Sequence, residues 1–276
     1  VSGNEAAWGG GICANGDAGG LQKYEEGSNS GTYDNASKAT INGGVITNNC
    51  AEQHFETSDE NKKGGYGGGL CVGTGTQKTY SCAEVTGGTI TGNEAVYGGG
   101  LAVYTENGDS FNYLEMSGGT VTGNTASANE NGNGVYVTCS GAFEKSGGML
   151  RLSGSASIDS SNNVSFEIPT RSTTAPISVT GELTGSALAA LVRLSYESQW
   201  VNKSIVSFAN EKIVNRDKFL LDSTDYAFSR SSTSLTIGTL SASDPVARVG
   251  DPQSGQGYTT LEEAVKSATD GQTIYI

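Results

Sequence analysis

The sequence predicts an all-β protein, a right-handed parallel β-helix with three strands per coil, because three short signatures recur along it. The first, Gly-Gly-x-Ile/Val-Thr-Gly/Asn-Asn, occurs at 43–49, 87–93 and 118–124, and in truncated form at 1–4. The second is a triple glycine followed by an aliphatic residue, and the third is an alternating segment that precedes the first. Each segment is too short for a helix and is bounded by glycine or asparagine, which is typical of short strands.

Alternation of side chains assigns the inward positions of these strands to three columns. Because strands of successive coils stack about 4.8 Å apart, each column should form a ladder of similar apolar residues. The columns are Ile41, Val85, Met116 and Leu152; Ile46, Ile90, Val121 and Ile158; and Ile12, Leu70, Leu101, Val135 and Val164.

Asparagine and glycine mark the corners between the strands. Asn4, Asn49, Asn93 and Asn124 each follow an inward position by three residues, and asparagine tolerates the left-handed backbone of a sharp corner. Their side-chain amides are expected to hydrogen-bond along the axis as a ladder. Glycines are expected at the other corners, where a positive φ or a close approach of two backbones is needed.

The signatures also divide the chain. Residues 1–168 carry the repeats, and residues 169–243 are expected to form a β-rich cap or continuation that covers the open end of the solenoid. Residues 244–276 look like the start of a following module, since a capping box predicts a helix over 261–268 and a strand follows it. The chain is therefore expected to be one segment of a longer array.

Composition and charge exclude several classes of function. A formal net charge of −13 leaves no basic face for nucleic acid or for an anionic membrane surface. No apolar run reaches the roughly 18 residues that a membrane span needs, so this segment should not insert into a bilayer. The sequence contains no phosphate loop, nucleophile elbow or zinc motif, and no cofactor or metal is expected.

The repeat carries a resemblance. Gly-Gly-x-Ile-Thr-Gly-Asn followed by Gly-Gly-Gly-Leu-x-Val resembles the β-helix modules of large cell-wall proteins from Gram-positive gut bacteria, and more broadly the pectate-lyase-like superfamily. Residues 258–265 and 270–274 look like the segment that opens such modules. The resemblance covers most of 1–168 and 246–276. It implies a secreted protein of the cell surface or cell wall, but no particular activity, because one fold hosts many functions.

From these observations we expect a non-enzymatic surface module, a stalk or adhesin-like segment that binds a glycan or a host surface protein and adjoins further modules of its chain. The candidate ligand-binding residues form a row: Trp8, Tyr66 and Tyr97 each precede a triple glycine, and Glu5 and Glu94 lie three residues before two of them. Aromatic rings near carboxylates can stack on sugars and bind their hydroxyl groups. Alternatively, the rings only shield the glycine-rich corner from water.

Enzymes of the superfamily that the repeat resembles usually act on polysaccharides. A glycoside hydrolase or polysaccharide lyase is therefore the alternative function. Glu84 and Glu115 are the candidate catalytic residues, because each lies one residue before an inward position and so points outward on adjacent coils. Stacked strands would place the two carboxylates about 5 Å apart, near the separation found in retaining glycosidases. Arg151 takes the next position, so the same residues also fit a salt-bridged polar ladder.

The cysteines allow one crosslink. Cys13 and Cys71 occupy matching outward positions in successive coils, and adjacent strands bring their Cα atoms within the range of a disulfide. The geometry permits this bridge without requiring it. Cys50, Cys82 and Cys139 show no metal-ligand spacing, and with five cysteines at least one has no partner within the chain.

Long loops leave the predicted solenoid at corresponding points, at 14–38, 73–81, 105–112 and 138–146, and a further loop at 51–65 contains the only histidine. Loops that stack on one face of a solenoid are common recognition surfaces. A partner is therefore also expected to meet this face.

Overall fold

The computed structural model describes residues 1–15, 37–54, 63–73, 80–105, 111–128, 131–138, 147–167, 175–185, 189–210, 216–239, 247–250, 256–258, 261–269 and 271–275. Within these ranges strands are the predominant element, and all of them are short. The helical elements there are an α-helix at Leu261–Ser267 and 3₁₀ turns at Glu197–Trp200 and Arg216–Lys218. The protein is therefore all-β, as the sequence predicts.

Strands from successive repeats lie side by side and pair in parallel. The largest of these assemblies, called here the long sheet, contains eight strands and includes the segment that precedes each first signature. Its parallel strands are Ser37–Ile41, Tyr80–Val85, Phe111–Met116, Gly147–Gly154, Ile177–Leu183 and Ser204–Phe208.

A second sheet of seven parallel strands begins after the triple glycines, and a third of four parallel strands follows the paired glycines. The seven-stranded sheet contains Ile12–Ala14, Leu70–Val72, Leu101–Val103, Val135–Val137, Asn163–Phe166, Ala190–Val192 and Phe219–Leu221. The other contains Val45–Thr47, Thr89–Thr91, Thr120–Thr122 and Ser157–Ile158. Long parallel sheets made from consecutive repeats are compatible with a parallel β-helix.

A fourth sheet, the short-strand sheet, adds to the three strands predicted for each repeat. Its two-residue strands follow the corner asparagines and pair in parallel. They are Glu5–Ala6, Cys50–Ala51, Glu94–Ala95 and Thr125–Ala126. Two residues are too few to show an alternating pattern, and alanine is a poor strand former, so the sequence carries little signal for this sheet.

The three predicted apolar columns form the core. Ile41, Val85, Met116 and Leu152 are consecutive partners in the long sheet, and the other two columns keep register in the same way. Their side chains are buried, except that Ile12 on the first strand of its sheet is only partly buried. The inward assignment from alternation is thus confirmed.

The left-handed corner lies one residue earlier than the sequence predicts. Gly3, Asn48, Gly92 and Gly123 have φ values of 68°, 53°, 64° and 62°. The asparagine that follows each of them does not have a positive φ. These asparagines instead form the expected amide ladder, which a fifth member, Asn162, extends.

Parallel stacking continues past residue 168. The long sheet gains Ile177–Leu183 and Ser204–Phe208, and the hairpin of Tyr226–Arg230 and Ser234–Thr239 then pairs antiparallel to it. The region thus continues the long sheet with parallel strands before an antiparallel hairpin ends it. Where one module stops and the next begins stays a prediction.

Near the end of the sequence the described residues form a separate small unit. Strands Ala247–Val249, Gln256–Tyr258 and Ile274–Tyr275 make an antiparallel sheet with the helix Leu261–Ser267, which ends one residue before the predicted limit. Val249 and Ala264 form its own apolar cluster.

Candidate functional site

The three predicted aromatic residues lie in register on successive coils. Isolated parallel bridges join Trp8 to Tyr66 and Tyr66 to Tyr97. A glycine with positive φ follows each ring, and at Gly67 a Cβ atom would lie 2.2 Å from the carbonyl oxygen of Leu70. The rings are therefore held at a corner that only glycine can turn.

The rings stack on one another along the axis of the repeats. The centroids of Trp8 and Tyr66 are 5.2 Å apart with 10° between the planes, and those of Tyr66 and Tyr97 are 4.8 Å apart with 16° between the planes. Both faces of Tyr66 are thus covered by neighbouring rings. This tyrosine can offer a ligand its edge and its hydroxyl group, but not a face for sugar stacking.

Two further tyrosines that the sequence reasoning missed complete the group. Tyr104 meets Trp8 and Tyr66 edge-on, with centroid distances of 4.8 and 4.5 Å, and Tyr136 lies 5.0 Å from Tyr97 at 44°. We call these five residues the aromatic cluster. Strand alternation could have found Tyr136, because it is the outward residue between two inward valines.

Burial and neighbouring groups shape the chemistry of the cluster. Each of its five side chains is partly buried and partly exposed. Burial raises the pKa of Tyr66 well above its ordinary value, and the nearby phenol groups of Tyr104, Tyr136 and Tyr97 and the carboxylate of Glu167 add to the effect. The phenol groups of Tyr97, Tyr104 and Tyr136 are therefore near enough to act on Tyr66, and each phenol group can donate and accept hydrogen bonds.

The two predicted acids lie on the short-strand sheet, each three residues before an aromatic residue of the cluster. Glu5 and Glu94 are exposed on the short-strand sheet, where both are register partners of Cys50. Burial raises the pKa of the Cys50 thiol, and Glu52, Glu94 and Glu5 raise it further. Three carboxylates therefore act on one thiol, although only Glu52 contacts it, at 3.9 Å.

The second candidate site lies on the long sheet. Glu84 and Glu115 are direct register partners on adjacent strands, as the sequence predicts. Lys38 Nζ lies 2.5 Å from Glu84 Oε1, and Arg151 lies 4.0 Å from Glu115 Oε2 and 4.2 Å from the ring centre of Tyr113. Each carboxylate thus lies beside a cation, which is the arrangement of a salt-bridged polar ladder.

The cysteine pair is also in register. Cys13 and Cys71 face each other on adjacent parallel strands, and both are free thiols. Cys13 is exposed, whereas Cys71 is completely buried and donates a hydrogen bond to the carbonyl oxygen of Gly73 over 3.2 Å.

The predicted recognition loops lie mostly outside the described residues, as does Cys139. A hairpin of Gln53–His54 and Lys63–Gly64 forms the base of one of them. Within the described ranges, no three His, Cys, Asp or Glu side chains group closely enough to hold a metal ion. None of the helices described is long and apolar enough to cross a bilayer.

No protein-family model, curated protein or solved structure matches the chain.

Proposed function

We propose that this chain is a non-enzymatic extracellular module, an adhesin-like or stalk-forming segment of a surface protein, which binds a glycan at the aromatic cluster. The observation that carries the proposal is that five contiguous rings, four of which carry a phenol group, stay partly exposed. Contiguous partly exposed rings of this kind often mark a binding surface. A host surface protein is the other partner class that such a surface suits.

A ligand would meet the cluster chiefly at ring edges and hydroxyl groups. Trp8 and Tyr97 end the stack, and each has only one of its faces against Tyr66. The phenol groups can bind sugar hydroxyls as both donors and acceptors, while the ring edges contribute apolar contact. This chemistry favours a saccharide chain lying along the stack over a single sugar held in a deep pocket.

The negative charge of the protein limits which glycans the aromatic cluster can bind. Glu5 and Glu94 lie three residues before Trp8 and Tyr97, the carboxylate of Glu167 helps to raise the pKa of Tyr66, and the whole chain carries a net charge of −13. A polysaccharide of uronic acids or sulfated sugars would be repelled by this field. We therefore propose a neutral or cationic glycan as the ligand.

The finer description of the scaffold is part of the same proposal. We propose a right-handed parallel β-helix of the pectate-lyase-like kind, secreted and displayed on the surface or in the cell wall of a Gram-positive gut bacterium. Parallel strands of one sheet are joined by right-handed connections in about 98% of cases. The recurrence of Gly-Gly-x-Ile-Thr-Gly-Asn and the low content of charged residues, 16%, support the extracellular assignment.

A glycan array tests the proposal. The purified chain should bind a neutral or cationic glycan, and Trp8→Ala and Tyr97→Ala should each weaken that binding at least tenfold, because each removes an end of the stack. Tyr196→Ala is the matched control, since Tyr196 is an exposed aromatic residue outside the cluster. Absence of glycan binding, or binding that survives both cluster substitutions, would refute the site.

A glycoside hydrolase or polysaccharide lyase is the second candidate, favoured by the direct register of Glu84 and Glu115. If it is correct, the chain should cleave a polysaccharide, and Glu84→Gln and Glu115→Gln should abolish cleavage. Glu182→Gln, which changes an exposed glutamate on a later strand of the same sheet, is the control. Cleavage that persists undiminished in both site variants would remove these residues from any catalytic role.

A further inference from the structure

We infer that Cys13 and Cys71 form an inter-coil disulfide when the protein meets a small-molecule disulfide as oxidant. The inference stands on strand register and does not depend on the proposed function. Ile12 pairs with Leu70, Cys13 with Cys71, and the next residues also pair, so the two thiols are directly opposite on parallel strands. Such strands lie about 4.8 Å apart, which falls within the roughly 4.4–6.8 Å that disulfides span between Cα atoms.

The pairing is also selective among the described cysteines. On its other side Cys71 faces Ala102, which has no thiol. Cys50 belongs to the short-strand sheet and Cys82 to the long sheet, where its register partners are Lys38 and Tyr113. Cys13 is therefore the only described cysteine that is a strand partner of Cys71.

The place of the bond gives it a structural role. Ile12–Ala14 pairs with Leu70–Val72 over its whole length, so the bond would crosslink two neighbouring strands of the seven-stranded sheet. Ile12 is less buried than Leu70 opposite it. The bond would also join the two coils that carry Trp8 and Tyr66, and so hold the first stacked pair of the aromatic cluster together.

The thiol–disulfide exchange uses the exposed thiol of Cys13 first and the buried thiol of Cys71 second. The Cys13 thiolate attacks one sulfur of a small disulfide, RSSR, and releases RS⁻, which leaves a mixed disulfide on Cys13. The Cys71 thiolate then attacks the Cys13 sulfur and releases the second RS⁻. The protein loses two protons and two electrons, and RSSR is reduced to two RSH. Cys13 is exposed as a residue, but neighbouring atoms partly desolvate its thiol and raise its pKa, and full burial raises the pKa of Cys71. The reaction should therefore accelerate as pH rises from neutral.

Peptide mapping after incubation with glutathione disulfide tests the inference. The peptides that contain Cys13 and Cys71 should appear as one linked species, and the free thiols counted in denatured protein should fall from five to three. Amide hydrogen exchange at residues 1–14 should slow in the oxidised protein and return to its original rate after reduction.

Three variants make the outcome decisive. Cys71→Ser should trap the mixed disulfide on Cys13, and Cys13→Ser should leave Cys71 a free thiol, while Cys82→Ser should still form the linked peptide. The inference is overturned if wild-type Cys13 accumulates as a stable glutathione adduct with Cys71 still free. It is equally overturned if Cys13 does not react at raised pH, or if it links to a different cysteine.

Discussion

Asn93 directs two donors to one acceptor: its backbone N–H and its side-chain amide both donate to Oδ1 of Asn124, over 3.0 and 2.9 Å. Asn49 makes the same pair of bonds to Asn93, and Asn124 makes it to Asn162. Each amide oxygen therefore accepts from the coil before it and each amide nitrogen donates to the coil after it. The ladder ties consecutive coils together at a corner between two of the parallel sheets.

Asn93→Ala should destabilise the protein strongly. The substitution removes the acceptor of two Asn49 donors and the donor to the carbonyl oxygen of Ile46. Because the site is buried, we expect a loss of about 3 kcal/mol in the free energy of unfolding, the cost of leaving more than one buried polar group unpaired. Chemical unfolding followed by circular dichroism measures it.

Asn4→Ala is the control for the ladder. Asn4 occupies the same position in the first coil, but its side chain is exposed, so water can replace the lost bonds. We expect a loss below about 1 kcal/mol. Equal effects of the two substitutions would show that burial does not set the strength of the ladder.

Gly99→Ala should disrupt the stack of triple glycines. A Cβ atom on Gly99 would lie 2.4 Å from the carbonyl oxygen of Thr125 and 2.7 Å from that of Asn133, so two backbones would have to move apart. We expect a loss of at least about 2 kcal/mol from overpacking. Gly43→Ala is the control, because nothing lies within 4 Å of its Cβ position; a full-size effect there would contradict the steric explanation.

Tyr66 should make the protein sensitive to alkali. Its pKa is raised by burial and by its neighbours, so the folded state keeps the phenol protonated after the unfolded state has lost the proton. The stability that this group contributes is fully present below the ordinary tyrosine pKa, about 10, and is lost as pH rises above it. Thermal unfolding against pH, together with an ultraviolet titration of phenolate, measures the effect.

Tyr66→Phe should reduce the fall in melting temperature above about pH 10, because phenylalanine has no proton to lose. Tyr196→Phe removes the hydroxyl group of an exposed ring and is the matched control. If the two variants lose stability in alkali as steeply as the wild type does, Tyr66 is not the group responsible.

Trp200→Phe should leave stability unchanged within about 1 kcal/mol or increase it, because it removes a polar group whose burial is costly. Trp200 is 1% exposed, and its indole N–H finds no acceptor among the described residues. Its ring packs against Phe166 at a centroid distance of 6.0 Å, a contact that phenylalanine can largely keep. Trp200→Ala should instead cost about 3–5 kcal/mol through the cavity it leaves. Unfolding midpoints compare the two variants.

The two candidate sites contain some contacts that the sequence predicts and others that it does not. Period-two alternation was enough to place Glu84 beside Glu115, because both belong to strands long enough to show the pattern. It did not place Lys38 against Glu84, because that contact also depends on the conformation of a long side chain. Tyr104 was missed because it follows its strand, where alternation gives no assignment.

The sequence by itself determined which residues repeat, which of them face the core and how successive strands align, since a one-residue slip would turn every apolar side chain outward. Only the tertiary structure decided that the glycine or asparagine before Asn4, Asn49, Asn93 and Asn124 takes the left-handed conformation. It also decided that Tyr66 has both faces covered by other rings. Strand register follows from the alternation of apolar side chains within each strand, which is a local feature of the sequence. Corner geometry and ring contacts arise only when separate repeats are brought together.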